Sequence, residues 1–421
     1  MKEEPESRSH PGTAFDWKPA DRHSMTDHPQ HQVRILRSDE ELRPLVPAWN
    51  DATIHPQAHP RLFLDLCTAD DVIQRPHVPV ITNPDGSIRG MMTSRLEHSK
   101  LVRAGRYLPL PQPMARTIVV PFDGIIGTHP SETAPLLLDA LLESIDGGEA
   151  EVVELPLMPL DDPIRLALLD HDDPRFSKAT PTNVAHWHID IAPSFDEQLL
   201  SLGKSTRGTL RNNLNKFHRE FDGRHEIQHH DSTTDLDELL SSSEVIARQS
   251  YHRGLDVGFS VSKRERAIYE AAYEMGAMWA RTLVIDGRPA AFLHAFLWKR
   301  TLFGTYMGFD REISRLPLGT ILLFETLKEL CENDSVDTWD FGPGEADYKT
   351  RLCSRRVEEE QRTIFASTLR ARRIRMQTGF FSSVESTLRK GIESLGLDQK
   401  LKTALRNRAR TRQPEDHDEA E

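Results

Sequence analysis

ARTLVIDGRPAAFLHAFLWK, residues 280–299, reads as two alternating strands joined at Asp286-Gly287, a dipeptide that accepts the positive φ of a tight hairpin. RTLFGTYMGF (300–309) continues as a third strand. PLGTILLFETLKELCE (317–332) switches to helical spacing, and SVDTWDFG (335–342) returns to β character. The order is hairpin, strand, helix, strand.

The same order occurs upstream. VPVITNPDGSIRGMMTSRLEH (78–98) turns at Asp85-Gly86, TIVVPFDGIIG (117–127) is a strand, SETAPLLLDALLESI (131–145) a helix, and AEVVELPL (150–157) a strand. The repeat is one of element order and not of residues, which predicts a duplicated α/β unit. A chain of 421 residues has room for two such units.

Folded structure is expected from residue 31. VRIL (33–36) begins it as a strand, and SDEELRPLVPAWNDA (38–52) follows as a helix capped by Ser38 or Asp39. Residues 1–30 hold Pro, His and charge with little apolar periodicity, so they are expected to be a disordered arm.

Net charge is −12, which gives the whole molecule no strong attraction to nucleic acid. The segment 370–412 nevertheless has twelve Lys or Arg against three acidic residues, a basic stretch on an acidic body. Within it TGFFSSVESTLRKGIESLGL (378–397) mixes apolar and charged positions. Packing on the second half of the molecule is its expected fate, with peripheral contact to an anionic membrane as the alternative. No run of apolar residues reaches the ~20 needed for a membrane span, and MKEEPESRSHPGTAFDW (1–17) has no signal-peptide core. Cys67, Cys331 and Cys353 are scattered, with no CxxC spacing. A cytoplasmic protein is expected.

SFDEQLLSLGKSTRGTLRNNLNKFHREF (194–221) is read as helical. Its Lys204, Arg207, Arg211 and Lys216 are placed to share one face and to bind an anionic substrate. HExxH, GxSxG, GxxxxGK[ST] and a GxGxxG after a strand are read as absent. His186 and His188, in HWHID, alternate on a strand; with no carboxylate or cysteine cluster near them in the sequence, no metal is expected.

Five segments in order carry a resemblance: KSTRGTLRNNLNK, ARQSYHRGLDVGFS, LVIDGRPAAFLHAF, YMGFDREISRLPLGTILLFETLKEL and DTWDFGPGEADYKTRL. Together they resemble the GNAT-like acetyltransferases of the cellulose-biosynthesis CelD type, related to the Fem-type peptidyltransferases. The resemblance implies an α/β fold of two GNAT-like lobes, with mixed sheets flanked by helices. The first lobe, degenerate, would span 31–195 and the second, acetyltransferase-like, 196–370; a basic helical tail with a disordered acidic end would fill 371–421.

It also implies acetyl-CoA or another acyl-CoA as donor, with no metal. The donor pyrophosphate would sit where the loop GFDREISRLPLG opens a helix: Arg315 to pair with phosphate, Gly319 to permit close approach, and the backbone of Leu318 and Thr320 beside them. Lys349 matches the active-site lysine of the Fem-like relatives, and Tyr348 is the candidate acid for the leaving thiolate. A base is needed to take the acceptor's proton, and His252, His294 and Asp340 are the candidates. The acceptor would be an amine or hydroxyl of a sugar-linked or other polar metabolite, in polysaccharide or envelope biosynthesis. Aminoacyl-tRNA as donor and a non-catalytic scaffold are the two alternatives.

Overall fold

The computed structural model describes residues 33–101, 113–249, 259–310 and 312–394. The expected arm at 1–30, the acidic end of the tail and His252 lie outside the described residues.

The first lobe opens with β1 (Arg34–Leu36), α1 (Asp39–Leu42), α2 (Val46–Ala52) and α3 (Pro60–Ala69). Ser38 and Glu41 form a reciprocal capping box at the start of α1, which settles the choice of cap. Three bent strands follow, each in two pieces: β2 and β3 (Ile73–Pro76, Val78–Thr82), β4 and β5 (Ile88–Met92, Arg95–Lys100), β6 and β7 (Met114–Val119, Ile125–Ile126). At the bends the ladder is kept by His77 N–H donating to Ser94 O and Thr93 N–H to Gly124 O. Next come α4 (Pro130–Asp146), β8 (Val152–Pro159), α5 (Pro163–Asp170), β9 (Phe176–Lys178) and β10 (Thr182–Asp190).

The second lobe repeats the plan. After α6 (Phe195–Ser201) and α7 (Lys204–Glu220) come β11 (His225–Asp231), α8 (Leu236–Gln249) and α9 (Lys263–Glu274). The meander is β12 (Met278–Ile285), β13 (Arg288–Trp298) and β14 (Thr301–Phe309), followed by α10 (Leu318–Glu332), β15 (Thr338–Pro343), α11 (Asp347–Leu352), β16 (Arg355–Ala366) and α12 (Leu369–Ser394). Asp286 and Gly287 both take positive φ at the β12–β13 turn, as the dipeptide predicts. In each lobe a helix links two parallel strands: α4 between β6 and β8, α10 between β14 and β15.

The lobes do not own separate sheets. A four-stranded sheet runs β1-β3-β4-β7, and the larger one runs β11-β12-β13-β14-β15-β10-β16-β8-β6-β5-β2, with β9 on β16. At its centre the halves exchange strands. First-lobe β10 pairs with second-lobe β15, and second-lobe β16 pairs with first-lobe β8. The sequence reading expects the duplication; it does not anticipate this exchange.

Every residue of β12 is buried, because both faces are covered. Trp279, Leu283 and Ile285 pack in the core beneath α7 and α10, while Met278 and Ala280 join the core built with α8 and α9. Helix α12 departs from expectation: its Ala371 and Ile374 belong to the first lobe's core, with Leu141, Val153 and Phe365, and not to the second lobe's. Strand β16 delivers it there by pairing with β8.

Candidate functional site

Parallel pairing of β14 with β15 lasts only from Thr301↔Thr338 to Phe303↔Asp340. Strand β14 then continues to Phe309, while β15 keeps its partner on the other side, with His188↔Asp340 and His186↔Pro343 on β10. Asp340 therefore stands where the two parallel strands part. Such carboxyl ends of parallel strands are where open α/β sheets collect ligands.

His186 and His188 are two apart on β10, so their side chains share a face, and the rings stack with centroids 4.6 Å apart. Asp340 lies opposite on the same face. His186 Nε2 is 2.7 Å from Asp340 Oδ1, and its Nδ1 is 2.9 Å from Glu359 Oε1 on β16. His188 Nε2 is 3.8 Å from Asp340 Oδ2. His186, Asp340 and Glu359 are all buried.

Burial opposes the charged form of His186, yet hydrogen bonding to Asp340 and contact with Glu359 outweigh it and raise its pKa to about 9. Burial would raise Asp340 in turn, and His186 overrides that and holds it below its usual value. His188 is half-buried, and desolvation together with the cationic ring of His186 beside it pushes its pKa below the ordinary histidine value. The exchanged strands thus place a cation between two carboxylates, next to a neutral imidazole.

The first lobe adds two more titratable groups beside this cluster. Asp123, at positive φ in the turn after β6, keeps an exposed edge, and the protein crowded around its carboxyl, with the charges of Asp162, Glu359 and Asp340, raises it to about 6. His55 packs edge-on against Phe303, centroids 4.6 Å apart, and near Phe122 at 5.8 Å; burial lowers it to about 4.

Lys349 is buried, and its ammonium donates at 3.0 Å to the carbonyls of both Gly342 and Pro343. It ties down the end of β15, where Gly342 and Gly344 take positive φ. Tyr348 is half-buried against Phe341, and burial raises its pKa to about 12, so it stays a phenol at neutral pH. The α10 start is built as a close approach: a Cβ on Gly319 would meet Phe309 Cδ1 at 3.0 Å. Leu318 is buried, Thr320 half-buried, and Arg315 exposed on the turn before the helix.

On α7, Lys204, Arg207 and Arg211 do share a face at i, i+3 and i+7. Lys216 stands about 120° away from Lys204 by helical geometry. Leu210 and Phe217 anchor the helix in the core beside α10. His294 is fully buried between Ser243 (2.8 Å) and Tyr269 (2.6 Å), with its pKa lowered to about 3 by burial. It is a core histidine and no base.

Sequence reasoning missed Glu359, Asp123, His55 and the pairing of HWHID with a carboxylate. His186 and Asp340 are 154 residues apart, and no local signal joins them. The expectation of no carboxylate near His186 and His188 is corrected. His186, His188 and Asp340 each offer a ligand atom within 4.8 Å of the others, so the trio is capable of holding a divalent ion. Asp340 Oδ1, however, already faces both His186 and the Gly342 N–H, and the protonated ring balances the charge. The reading of HExxH as absent is also corrected: the string HEIQH stands at 225–229. By letters it is the HExxH of zinc proteases, but it forms β11, where i and i+4 lie about 13 Å apart instead of one helical turn.

Residues 204–350, from α7 to α11, match the family described as acetyltransferase (GNAT) domain. Among solved structures, a conserved protein of unknown function from Bacteroides thetaiotaomicron is 12% identical, with a TM-score of 0.50 over 79% of this chain and 100% of that one. FemX is 12% identical, with a TM-score of 0.49 over 73% and 96%. A tandem GNAT protein from the clavulanic acid biosynthesis pathway is 13% identical, with a TM-score of 0.45 over 80% and 99%. Identity this low speaks to the fold alone. No curated protein matches the chain. The segment from α7 to α11 thus matches an acetyltransferase (GNAT) domain, and it sits in an α/β fold whose hairpin, strand, helix and strand unit occurs twice.

Proposed function

We propose that the protein is an acyltransferase that takes an acyl group, most simply acetyl, from coenzyme A and passes it to an amine at the site where the lobes exchange strands. The observation that carries this reading is the parting of β14 from β15 at Phe303–Asp340, which opens the sheet between the start of α10 and the Asp340–His186–Glu359 cluster. The donor pyrophosphate is assigned to the α10 N-terminus with Gly319, Leu318, Thr320 and Arg315, since helix N-termini and guanidinium groups both favour phosphate. Lys204, Arg207 and Arg211, which share one face of α7, are assigned to anionic groups of the bound substrates.

The acceptor nitrogen attacks the thioester carbonyl carbon, and the carbon–sulfur bond breaks. Its proton goes to neutral His188 or to Asp123, and Tyr348 returns one to the departing thiolate. Lys349 acts by fixing the β15 turn that carries Asp340. His186 offsets one of the Asp340 and Glu359 charges, and the other, with Asp123 and Asp162, leaves the site suited to a cationic amine more than to an anionic acceptor. Placement in polysaccharide or envelope synthesis, of the CelD type, rests on the sequence segments alone.

The test is thiol release from acetyl-CoA across a panel of amines and alcohols. The reading expects release that depends on an amine and falls at least a hundredfold in Asp340→Asn. No release with any acceptor, together with retention of aminoacyl-tRNA, would move the chain to the tRNA-dependent alternative.

A further inference from the structure

Helix α12 has one face in the first lobe's core and leaves the opposite face apolar. Ala371, Ile374 and Thr378 point inward and are buried. Leu369, Met376 and Phe380 are 84%, 75% and 63% exposed. Their spacing of seven and four residues puts all three within about 40° on the helix. They form a line and not a scatter, which a monomer's surface rarely offers without a use.

Arginines flank the line. Arg372 and Arg373 lie on either side of it, both exposed and, among the described residues, neither in an ion pair. Arg370 and Arg375 sit lower on the flanks, where they reach Glu151 and Ser177. Across 370–412 the sequence carries a net +9 on a chain whose total is −12. Among the described residues no helix is long and apolar enough to cross a membrane.

We propose that α12 seats the protein on an anionic lipid bilayer, with Leu369, Met376 and Phe380 inserted at the level of the headgroups and Arg372 and Arg373 paired with lipid phosphate. The pattern is that of an interfacial helix, in which an apolar stripe enters the acyl boundary and long basic side chains reach back to the surface. Acidic protein surfaces offer the charge but not the apolar depth for three adjoining large side chains. The bilayer offers both.

The experiment is flotation of the full chain with vesicles of phosphatidylcholine alone and of phosphatidylcholine with phosphatidylglycerol in equal parts. The wild type floats with the anionic vesicles only, and 0.5 M salt releases it, because screening shortens the reach of the arginines to a few ångströms. Met376→Ser/Phe380→Ser and Arg372→Glu/Arg373→Glu each cut partitioning at least tenfold while leaving the circular dichroism and melting temperature of the wild type. The proposal is overturned if the wild type stays at the bottom of the gradient, or if both double variants float as well as it does. It is also overturned if sedimentation shows a wild-type dimer that Met376→Ser/Phe380→Ser dissociates, since the stripe would then cover a second copy. Thiol release from acetyl-CoA in the absence of vesicles is unchanged in these variants, which separates this test from that of the catalytic reading.

Discussion

His186 Nε2 and Asp340 Oδ1 meet at 2.7 Å across two strands that belong to different repeats of the fold. The contact exists because β10 of the first lobe is inserted beside β15 of the second. It makes the strand exchange and the candidate site one feature.

Breaking this pair is expected to be costly. Asp340→Asn leaves a buried imidazolium with Glu359 alone, and loss of one member of a buried pair costs about 3 kcal/mol. Chemical denaturation measures it. The same variant lowers the His186 pKa from about 9 toward its ordinary value, which a histidine NMR titration reads directly.

The pH dependence has a definite sign. The folded-state pKa of His186 is raised above its unfolded value, so its contribution is fully present below about pH 6.5 and is lost as pH rises through about 9. The size is roughly 3 kcal/mol by linkage. Stability of the wild type at pH 6.5 and 9.5 should therefore differ by more than that of His186→Gln, with the excess lost above neutrality.

Asp123 gives an opposite signature in activity. Its pKa of about 6 means that the carboxylate, the form able to take a proton, is lost below that pH. If it is the base, the acid limb of kcat/KM falls near pH 6. Asp123→Asn then removes that limb and costs 10²–10⁴ in rate, the usual range for a general base. A limb that persists in the variant assigns the role to His188.

Lys349 is predicted to position and not to react. Lys349→Met strands the carbonyls of Gly342 and Pro343 and destabilises the fold by about 1–3 kcal/mol. Lys349→Arg, which can still reach a carbonyl, recovers most of the lost melting temperature and activity together. Recovery of stability without activity would make Lys349 a catalytic group.

The legible part of this chain was local. Asp85-Gly86 and Asp286-Gly287 mark two hairpins, and the helical spacing of 131–145 and 317–332 marks the linking helices, so the duplication could be read from order alone. What the sequence hid is long-range. HWHID looked bare because its carboxylates come from β15 and β16, far along the chain. The attachment of α12 to the first lobe was equally hidden, since it follows from where β16 inserts. Arg315, Leu318, Gly319 and Thr320 do gather at one helix start, and Lys204, Arg207 and Arg211 on one face, because both groups are set within single elements.

The most direct test of the central claim is isothermal titration of acetyl-CoA into the wild type, Arg315→Ala and Gly319→Leu. The account predicts micromolar binding by the wild type, weakened about tenfold or more by loss of the Arg315 charge-assisted contact. It predicts near-abolition by Gly319→Leu, whose side chain collides with Phe309 at the start of α10. Absence of binding by the folded wild type, or equal affinity in all three proteins, would contradict a donor site at the opening between β14 and β15.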